Sequence, residues 1–330
     1  MTNGRLFLDA ILNISSSSYS TNSVGAYKNV KIYANPTNGW SNYAFPIDES
    51  IDGEAPVDAY GVYVTVDGER KAWLCQETEW KYDLEKKILT NGKWGFDASV
   101  ISNTFIYVYG HASAYTNTTH TGELDLKDKI ITGTDGKGYT IHKWSVVFDS
   151  SFNVSKINLP SSIREINGRF YNCKSIQEIN FESEFVSDVP NKFMCNLPSL
   201  SNGVVRLPNL KYIGRESFAY LPNWTMDIQN VLPIDLNSLS FCAFHQTALT
   251  GNVVLTNLLT NPFEGNEFAG STNITSVDIA APNLFSINES FRDMTSLTNL
   301  RLRLSEKSNV TLGWYSFYNN TATNDISDVI

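Results

Sequence analysis

The second half of the chain repeats one pattern of hydrophobic and polar positions. In its clearest copy, the apolar-polar-apolar triplet Val277-Asp278-Ile279 is followed by Phe291, and a new triplet starts at Leu300-Arg301-Leu302, 23 residues after the first. Successive side chains of a β-strand point to opposite faces, so the outer two residues of each triplet should point inward and the middle one outward. The pattern predicts one short strand in each repeat.

A phenylalanine marks each repeat, and an apolar residue follows each of the first six phenylalanines after five to seven residues. One repeat cannot bury its apolar side alone, so consecutive repeats are expected to stack, with the strands in a parallel sheet and the phenylalanines along the opposite wall. Residues 151–330 are therefore predicted to form a solenoid. The phenylalanines, 23 to 26 residues apart, are Phe170, Phe193, Phe218, Phe244, Phe268, Phe291 and Phe317.

The first repeat resembles a known family. The segment Leu159-Pro160-Ser161-Ser162-Ile163-Arg164-Glu165-Ile166, followed by Phe170-Tyr171-Asn172-Cys173-Lys174-Ser175-Ile176-Gln177-Glu178-Ile179, is similar to the BspA-type leucine-rich repeat. The later repeats depart from the pattern through prolines and uneven spacing, and the resemblance covers about half of the chain. It implies a right-handed solenoid of the kind used in adhesion and protein recognition, and it implies no catalytic residues.

Residues 1–150 have a different pattern, in which short β-rich runs alternate with clusters of Ser, Asn, Gly and Thr. This pattern predicts a compact antiparallel β domain, either a sandwich or a small barrel. We hypothesise that this domain docks onto a larger assembly, and whether it binds a ligand instead stays open. One hairpin is predicted from Tyr60 to Gln76 around Asp67-Gly68, and a second where Ile130-Ile131 and Tyr139 to Phe148 flank a Gly-containing turn. The fold class is thus β-rich throughout, with an antiparallel domain before the solenoid.

Five tryptophans lie in this first half and could line a carbohydrate platform. Burial of an aromatic ring is itself strongly stabilising, so we favour a core role for them over ligand stacking. The tryptophans are Trp40, Trp73, Trp80, Trp94 and Trp144.

Composition and charge exclude some classes of protein. The net charge of -9 argues against a general nucleic-acid binder, which needs a basic surface to neutralise phosphates. No run of about 18 apolar residues is present to span a membrane. Asp9 interrupts the apolar run near the N-terminus, so we also expect no cleaved export signal.

Cysteine and histidine spacing predicts no metal site and no cofactor. The four cysteines include no Cys-x-x-Cys pair, and we expect free, partly buried thiols at Cys75, Cys173, Cys195 and Cys242. His111 and His120 share one polar loop, but without further ligands at a recognisable spacing we expect them to be exposed. No nucleophile elbow, P-loop or dinucleotide motif is present.

The middle residues of the predicted strands form the candidate binding surface, which we call the strand-face ladder. The repeat needs mostly polar residues at these positions in any case, so a solvated face without a partner is the alternative. The ladder consists of Asn158, Asn180, Arg206, Asp227, Val254, Asp278 and Arg301.

These features favour a non-enzymatic binding protein over an enzyme. The leading hypothesis is a phage virion component of the tail, fibre or capsid, whose repeats contact a host-surface protein or glycan or a neighbouring virion protein. A cell-surface adhesin of BspA type is the first alternative. A glycan-processing enzyme with carboxylates such as Asp58, Glu69 or Glu77 is the second. Whether the chain forms a homo-oligomer stays open.

Overall fold

The computed structural model describes residues 79–113, 115, 120–256, 264–284, 286–303 and 310–320, together with the backbone of five short strands nearer the N-terminus. Among these residues the chain is β-rich and contains no α-helix, as predicted. The first and second of the five strands each pair antiparallel with the third. The five are β1 (Leu6–Phe7), β2 (Lys31–Ile32), β3 (Pro46–Asp48), β4 (Val62–Val66) and β5 (Glu69–Trp73).

The hairpin predicted around Asp67-Gly68 is confirmed. Strands β4 and β5 pair antiparallel, with Val66 opposite Glu69 at one end and Val62 opposite Trp73 at the other. The second strand therefore starts at Glu69, two residues earlier than the apolar pattern indicated.

The next seven strands lead up to the repeats. They are β6 (Trp80–Asp83), β7 (Ile88–Thr90), β8 (Gly95–Ser102), β9 (Phe105–His111), β10 (Thr121–Asp125), β11 (Ile131–Gly133) and β12 (Gly138–Trp144). The second predicted hairpin is confirmed by the antiparallel pairing of β11 with β12, in which Ile131 lies opposite Tyr139.

Fifteen further strands, most of them only two or three residues long, follow in the described repeats. They are β13 (Val147–Phe148), β14 (Asn153–Asn158), β15 (Glu165–Ile166), β16 (Arg169–Tyr171), β17 (Glu178–Glu182), β18 (Asp188–Val189), β19 (Met194–Cys195), β20 (Val205–Arg206), β21 (Tyr212–Ile213), β22 (Ser238–Leu239), β23 (Gly251–Leu255), β24 (Ile274–Ala280), β25 (Ser286–Ile287), β26 (Asn299–Arg303) and β27 (Thr311–Leu312).

The largest sheet is mixed rather than purely antiparallel, which corrects the prediction for the N-terminal half. Its strand order is β11-β6-β7-β8-β9-β12-β15, and β11 also pairs with β12, so the first six strands form a closed, barrel-like ring. The β6–β7 and β7–β8 pairs are antiparallel. The β6–β11 and β9–β12 pairs are parallel. In each pair, the segment between the two strands brings the chain back to the end of the sheet at which the first strand began.

Two compact units can be distinguished in the chain. One comprises residues 1–99, 111–120 and 130–139, and the other comprises residues 100–110, 121–129 and 140–330. The domain boundary expected at residue 150 stays a prediction.

Strands from consecutive repeats pair in parallel, as the sequence pattern predicts. One sheet has the order β10-β14-β17-β20 and another has the order β23-β24-β26. Shorter strands form three further sheets, with the strand orders β13-β16-β19, β18-β21-β22 and β25-β27. Apart from Met226, which is half-buried, the inward residues of the triplets from Ile179 to Leu302 are buried. These side chains supply much of the core of the repeats.

The fourth repeat interrupts the long strands. A short 3-10 turn at Ile228–Asn230 occupies the place of a strand there, and only an isolated bridge joins Asp227 to Thr250. Met226 loses its inward position at this point. The parallel sheet on this side is therefore divided into an N-terminal part and a C-terminal part.

The predicted stacking of the phenylalanines is confirmed. Each of the first six rings contacts the ring in the next repeat at a centroid distance between 5.3 and 6.1 Å, and Phe148 extends the column by one ring at its N-terminal end. The backbone beside the rings also pairs from repeat to repeat, for example through Phe218 N–H to Ala243 O at 2.8 Å. We call this set of eight rings the phenylalanine column.

Candidate binding surface

The first two rungs of the strand-face ladder belong to an amide network. Asn158 Nδ2 donates to Glu123 Oε1 and to Asp125 Oδ1, both at 3.1 Å. Asn180 Nδ2 donates to Asn158 Oδ1 at 2.8 Å and to Glu178 Oε1 at 2.7 Å. Asn158 is only 8% exposed. The expectation that this residue faces solvent is therefore wrong, because β10 pairs with β14 and brings its carboxylates over the amide.

A lysine links the carboxylates of this network. Lys156 Nζ lies 3.2 Å from Glu123 Oε1 and 3.4 Å from Glu178 Oε1. The hydrogen bond with Glu123 is the largest of the interactions that raise the pKa of Lys156. Since the polar groups at this end satisfy one another, the N-terminal rungs stabilise the sheet and leave little hydrogen-bonding capacity for a ligand.

The two middle rungs differ from each other. Arg206 ends β20 with an exposed side chain. Asp227 is also exposed, but its Oδ1 accepts the backbone N–H of Gln229 at 2.9 Å and so caps the 3-10 turn. Asp227 is therefore not the central residue of a strand, and its carboxylate has a capping role that the triplet pattern does not indicate.

The last three rungs form one row across adjacent parallel strands. Val254 lies opposite Asp278, and Asp278 lies opposite Arg301. The side chain of Arg301 is exposed, whereas Asp278 is half-buried with its Oδ1 3.0 Å from Arg303 Nε. This row keeps the outward geometry that the sequence predicts and combines an apolar, an acidic and a basic side chain.

Two histidines that the sequence places in an exposed loop contact each other, with His120 in the core and His111 half-buried at the end of β9. His120 is fully buried, and its ring lies 4.8 Å from Trp94 and 5.2 Å from Phe96. Its Nε2 accepts the backbone N–H of Gly95 at 3.0 Å, so Nδ1 carries the proton and donates to His111 Nδ1 at 2.8 Å. Burial is the main reason that the pKa of His120 falls to about 2, which keeps the ring neutral.

The described tryptophans of the first half are also core residues, as predicted. Trp80, Trp94 and Trp144 are at most 3% exposed. Trp40 and the side chain of Trp73 lie outside the described residues. The expected free thiols are confirmed at Cys173, Cys195 and Cys242, where burial raises the pKa of each thiol, while Cys75 lies outside the described residues.

Glu267 is a fully buried carboxylate among the repeats, and sequence reasoning did not single it out. Its Oε1 accepts the N–H of Gly265 and its Oε2 accepts the Ser290 hydroxyl, both at 2.6 Å. Burial outweighs these hydrogen bonds and raises its pKa to about 7. The flanking sequence Gly265-Asn266-Glu267-Phe268 resembles an ordinary turn before a phenylalanine, so it gives no signal of burial.

The described residues offer no obvious catalytic or metal centre. Within them, no group of three or more His, Cys, Asp or Glu side chains is placed to hold a metal ion. Asp58 and Glu77 lie outside these residues, and for Glu69 only the backbone is described. The described part of the chain also holds no helix with the length and hydrophobicity of a membrane span.

The repeats identify the family. The model of the BspA type leucine-rich repeat region matches residues 144–261 and 227–327 in six copies, which together cover more than half of the chain. The protein therefore belongs to the BspA-type leucine-rich repeat family. A search of curated proteins returned no match.

Proposed function

We propose that this protein is a non-enzymatic binding protein whose repeats form a right-handed solenoid and hold a partner on the strand-face ladder from Arg206 to Arg301. Family membership supports a binding or adhesin-like role. The observation that carries the choice of surface is the row Val254, Asp278 and Arg301, which three adjacent parallel strands place side by side. Parallel-strand faces of repeat proteins commonly serve as extended binding surfaces.

The amide network explains why the N-terminal rungs are not part of the proposed surface. Asn158 and Asn180 already use their amide groups within the sheet. The side chains of Arg206 and Arg301 are exposed. A guanidinium group can form bidentate hydrogen bonds with a carboxylate. We therefore expect an acidic segment of a host-surface protein or of a neighbouring virion protein to be the partner.

Site-specific photo-crosslinking tests this surface. A photoreactive phenylalanine analogue at position 301 should give one discrete crosslinked product with intact host cells or purified particles. The same group at position 234, where the native Ile234 is 53% exposed, serves as the control. The product should disappear when Arg206→Glu is combined with the crosslinker at position 301. Equal products at 301 and 234, or no product at 301, would contradict the proposed surface.

The location of the protein is a separate proposal. We infer a place in the phage virion from an adhesive repeat region that follows an unrelated β-rich region, and a bacterial cell surface is the alternative. Mass spectrometry of particles purified on a density gradient should detect the chain at a fixed ratio to the capsid protein. Its absence from particles, together with its cleavage by protease on intact cells, would reject the virion role in favour of the cell-surface role.

A further inference from the structure

Three aromatic side chains alternate along β9, on a surface separate from the strand-face ladder. Phe105, Tyr107 and Tyr109 occupy every second position, while Ile106 and Val108 between them are fully buried. Because alternate residues of a strand share a face, the three rings point outward together. From Phe105 to Tyr109 the strand rises about 14 Å, which is long enough to contact more than one sugar ring.

Two of the three rings are exposed and the third, Tyr107, is half-buried; the neighbouring strand supports them. Phe105 is 36% exposed and Tyr109 is 41% exposed. His142 on β12 stacks against Phe105 at a centroid distance of 3.8 Å and an interplanar angle of 17°. Tyr107 and Tyr109 contact each other at 5.2 Å. The stacking holds Phe105 in a fixed orientation, so ligand binding to this ring would cost little additional side-chain ordering.

The cation beside the Tyr107 ring is neutralised by a neighbouring carboxylate. Lys143 pairs in register with Tyr107 on one side and with Glu165 on the other. Its Nζ lies 5.0 Å from the centroid of the Tyr107 ring and 2.6 Å from Glu165 Oε1. Burial, and after it the nearby Arg164, lower the pKa of His142 below its ordinary value. Hydrogen-bonding groups therefore surround the rings without an unpaired acidic group among them.

We propose that Phe105, Tyr107 and Tyr109 form a platform for a neutral polysaccharide. The C–H faces of sugar rings pack against aromatic faces, and the Glu165 carboxylate and the tyrosine hydroxyls can hydrogen-bond to sugar hydroxyls. A neutral ligand fits better than an anionic one because Glu165 already neutralises Lys143. This glycan site is separate from the partner surface that we propose on the repeats. The two proposals do not depend on each other.

Affinity electrophoresis of the full chain tests the platform. Gels containing hydroxyethylcellulose, laminarin, galactomannan or arabinoxylan are compared with a gel containing the anionic polymer alginate. At least one neutral polymer should retard the protein, and alginate should not. We expect Tyr107→Ala to weaken binding roughly tenfold, the scale of one lost aromatic stacking contact, whereas Tyr107→Phe should retain most of the binding.

Two controls make the outcome decisive. Tyr318→Ala removes a tyrosine that is 58% exposed in the last described repeat, and this variant should bind like the unmodified protein. Arg301→Glu should also leave glycan binding unchanged, so loss of the repeat partner and loss of glycan binding can be distinguished. Circular dichroism verifies that each variant is folded. Failure of every neutral polymer to retard the protein, retardation by alginate alone, or an equal loss of binding in Tyr107→Ala and Tyr318→Ala would overturn the proposal.

Discussion

Glu267 makes the stability of the repeats depend on pH. Burial raises its pKa from an ordinary value of 4.5 to about 7, so between these values the folded chain binds more protons than the unfolded chain. The contribution of this group is therefore fully present below pH 4.5 and is lost as the pH rises through 7. The difference of about 2.5 pKa units corresponds to about 3 kcal/mol.

The variant Glu267→Gln tests this dependence. Glutamine cannot ionise, and its side-chain oxygen can still accept the N–H of Gly265. We expect the variant to be more stable than the unmodified protein at pH 8 and similar to it at pH 4.5, as measured by urea unfolding. If both proteins lose the same stability between pH 4.5 and 8, Glu267 does not control the effect.

Gly203 occupies a position that tolerates no side chain. Its φ is +100°, and a Cβ atom at this position would lie 2.1 Å from the carbonyl oxygen of Ile179. Both the left-handed conformation and the close backbone approach disfavour alanine. We expect Gly203→Ala to cost at least about 2 kcal/mol in urea unfolding, whereas Ser201→Ala in the same exposed turn should cost less than about 1 kcal/mol. Similar costs for the two variants would show that the backbone relaxes at Gly203.

At the scale of the structural element, the phenylalanine column should have a strong middle and a weak end. Phe218 is fully buried with a ring on each side, while Phe317 is the last ring and is only half-buried. Phe218→Ala should cost about 3–5 kcal/mol because it leaves a cavity among close-packed rings. Phe317→Ala should cost about half as much or less. Calorimetry of thermal unfolding measures the free-energy cost of both substitutions. An equal cost would indicate that the last ring is as well packed as the others.

The repeat pattern predicted the inward residues and the phenylalanine column well, because both follow from periodic burial. It missed β10, whose Leu124-Asp125-Leu126 has the same apolar-polar-apolar order as the triplets and whose leucines are buried. The triplet at Ile157-Asn158-Leu159 follows 33 residues later, whereas the later triplets are 21 to 27 residues apart, because β11, β12 and β13 lie between the two. Because the repeat pattern did not predict β10, it could not predict that Asn158 is covered. Similarly, nothing in the fourth repeat signals that a 3-10 turn replaces the strand.

At the scale of the whole molecule, the two compact units should respond to pH in opposite directions. His120 in the first unit has a pKa lowered from 6.5 to about 2, so its contribution to stability is fully present above pH 6.5 and is lost as the pH falls toward 2. Glu267 in the second unit has the reverse dependence. A moderate acid shift should therefore weaken the first unit while it strengthens the second.

Hydrogen exchange with mass spectrometry can observe both units in one sample. After correction for intrinsic exchange rates, peptides covering residues 80–99 should lose protection between pH 8 and pH 5.5, and peptides covering 264–294 should gain it. His120→Gln keeps an acceptor for the N–H of Gly95 but cannot take up a proton, so the loss in the first unit should be smaller. A parallel change in both units would contradict the assignment of these two groups.

The phenylalanine column also has a mechanical consequence. Within the column each ring contacts the rings of the adjacent repeats, and the backbone hydrogen bonds beside the rings follow the same order. A load applied to the C-terminal end should therefore detach one repeat after another instead of rupturing the repeats together. Each detached repeat releases 23 to 26 residues, or roughly 80 Å of extended chain. An adhesive protein with this property would dissipate force gradually while its partner stayed bound.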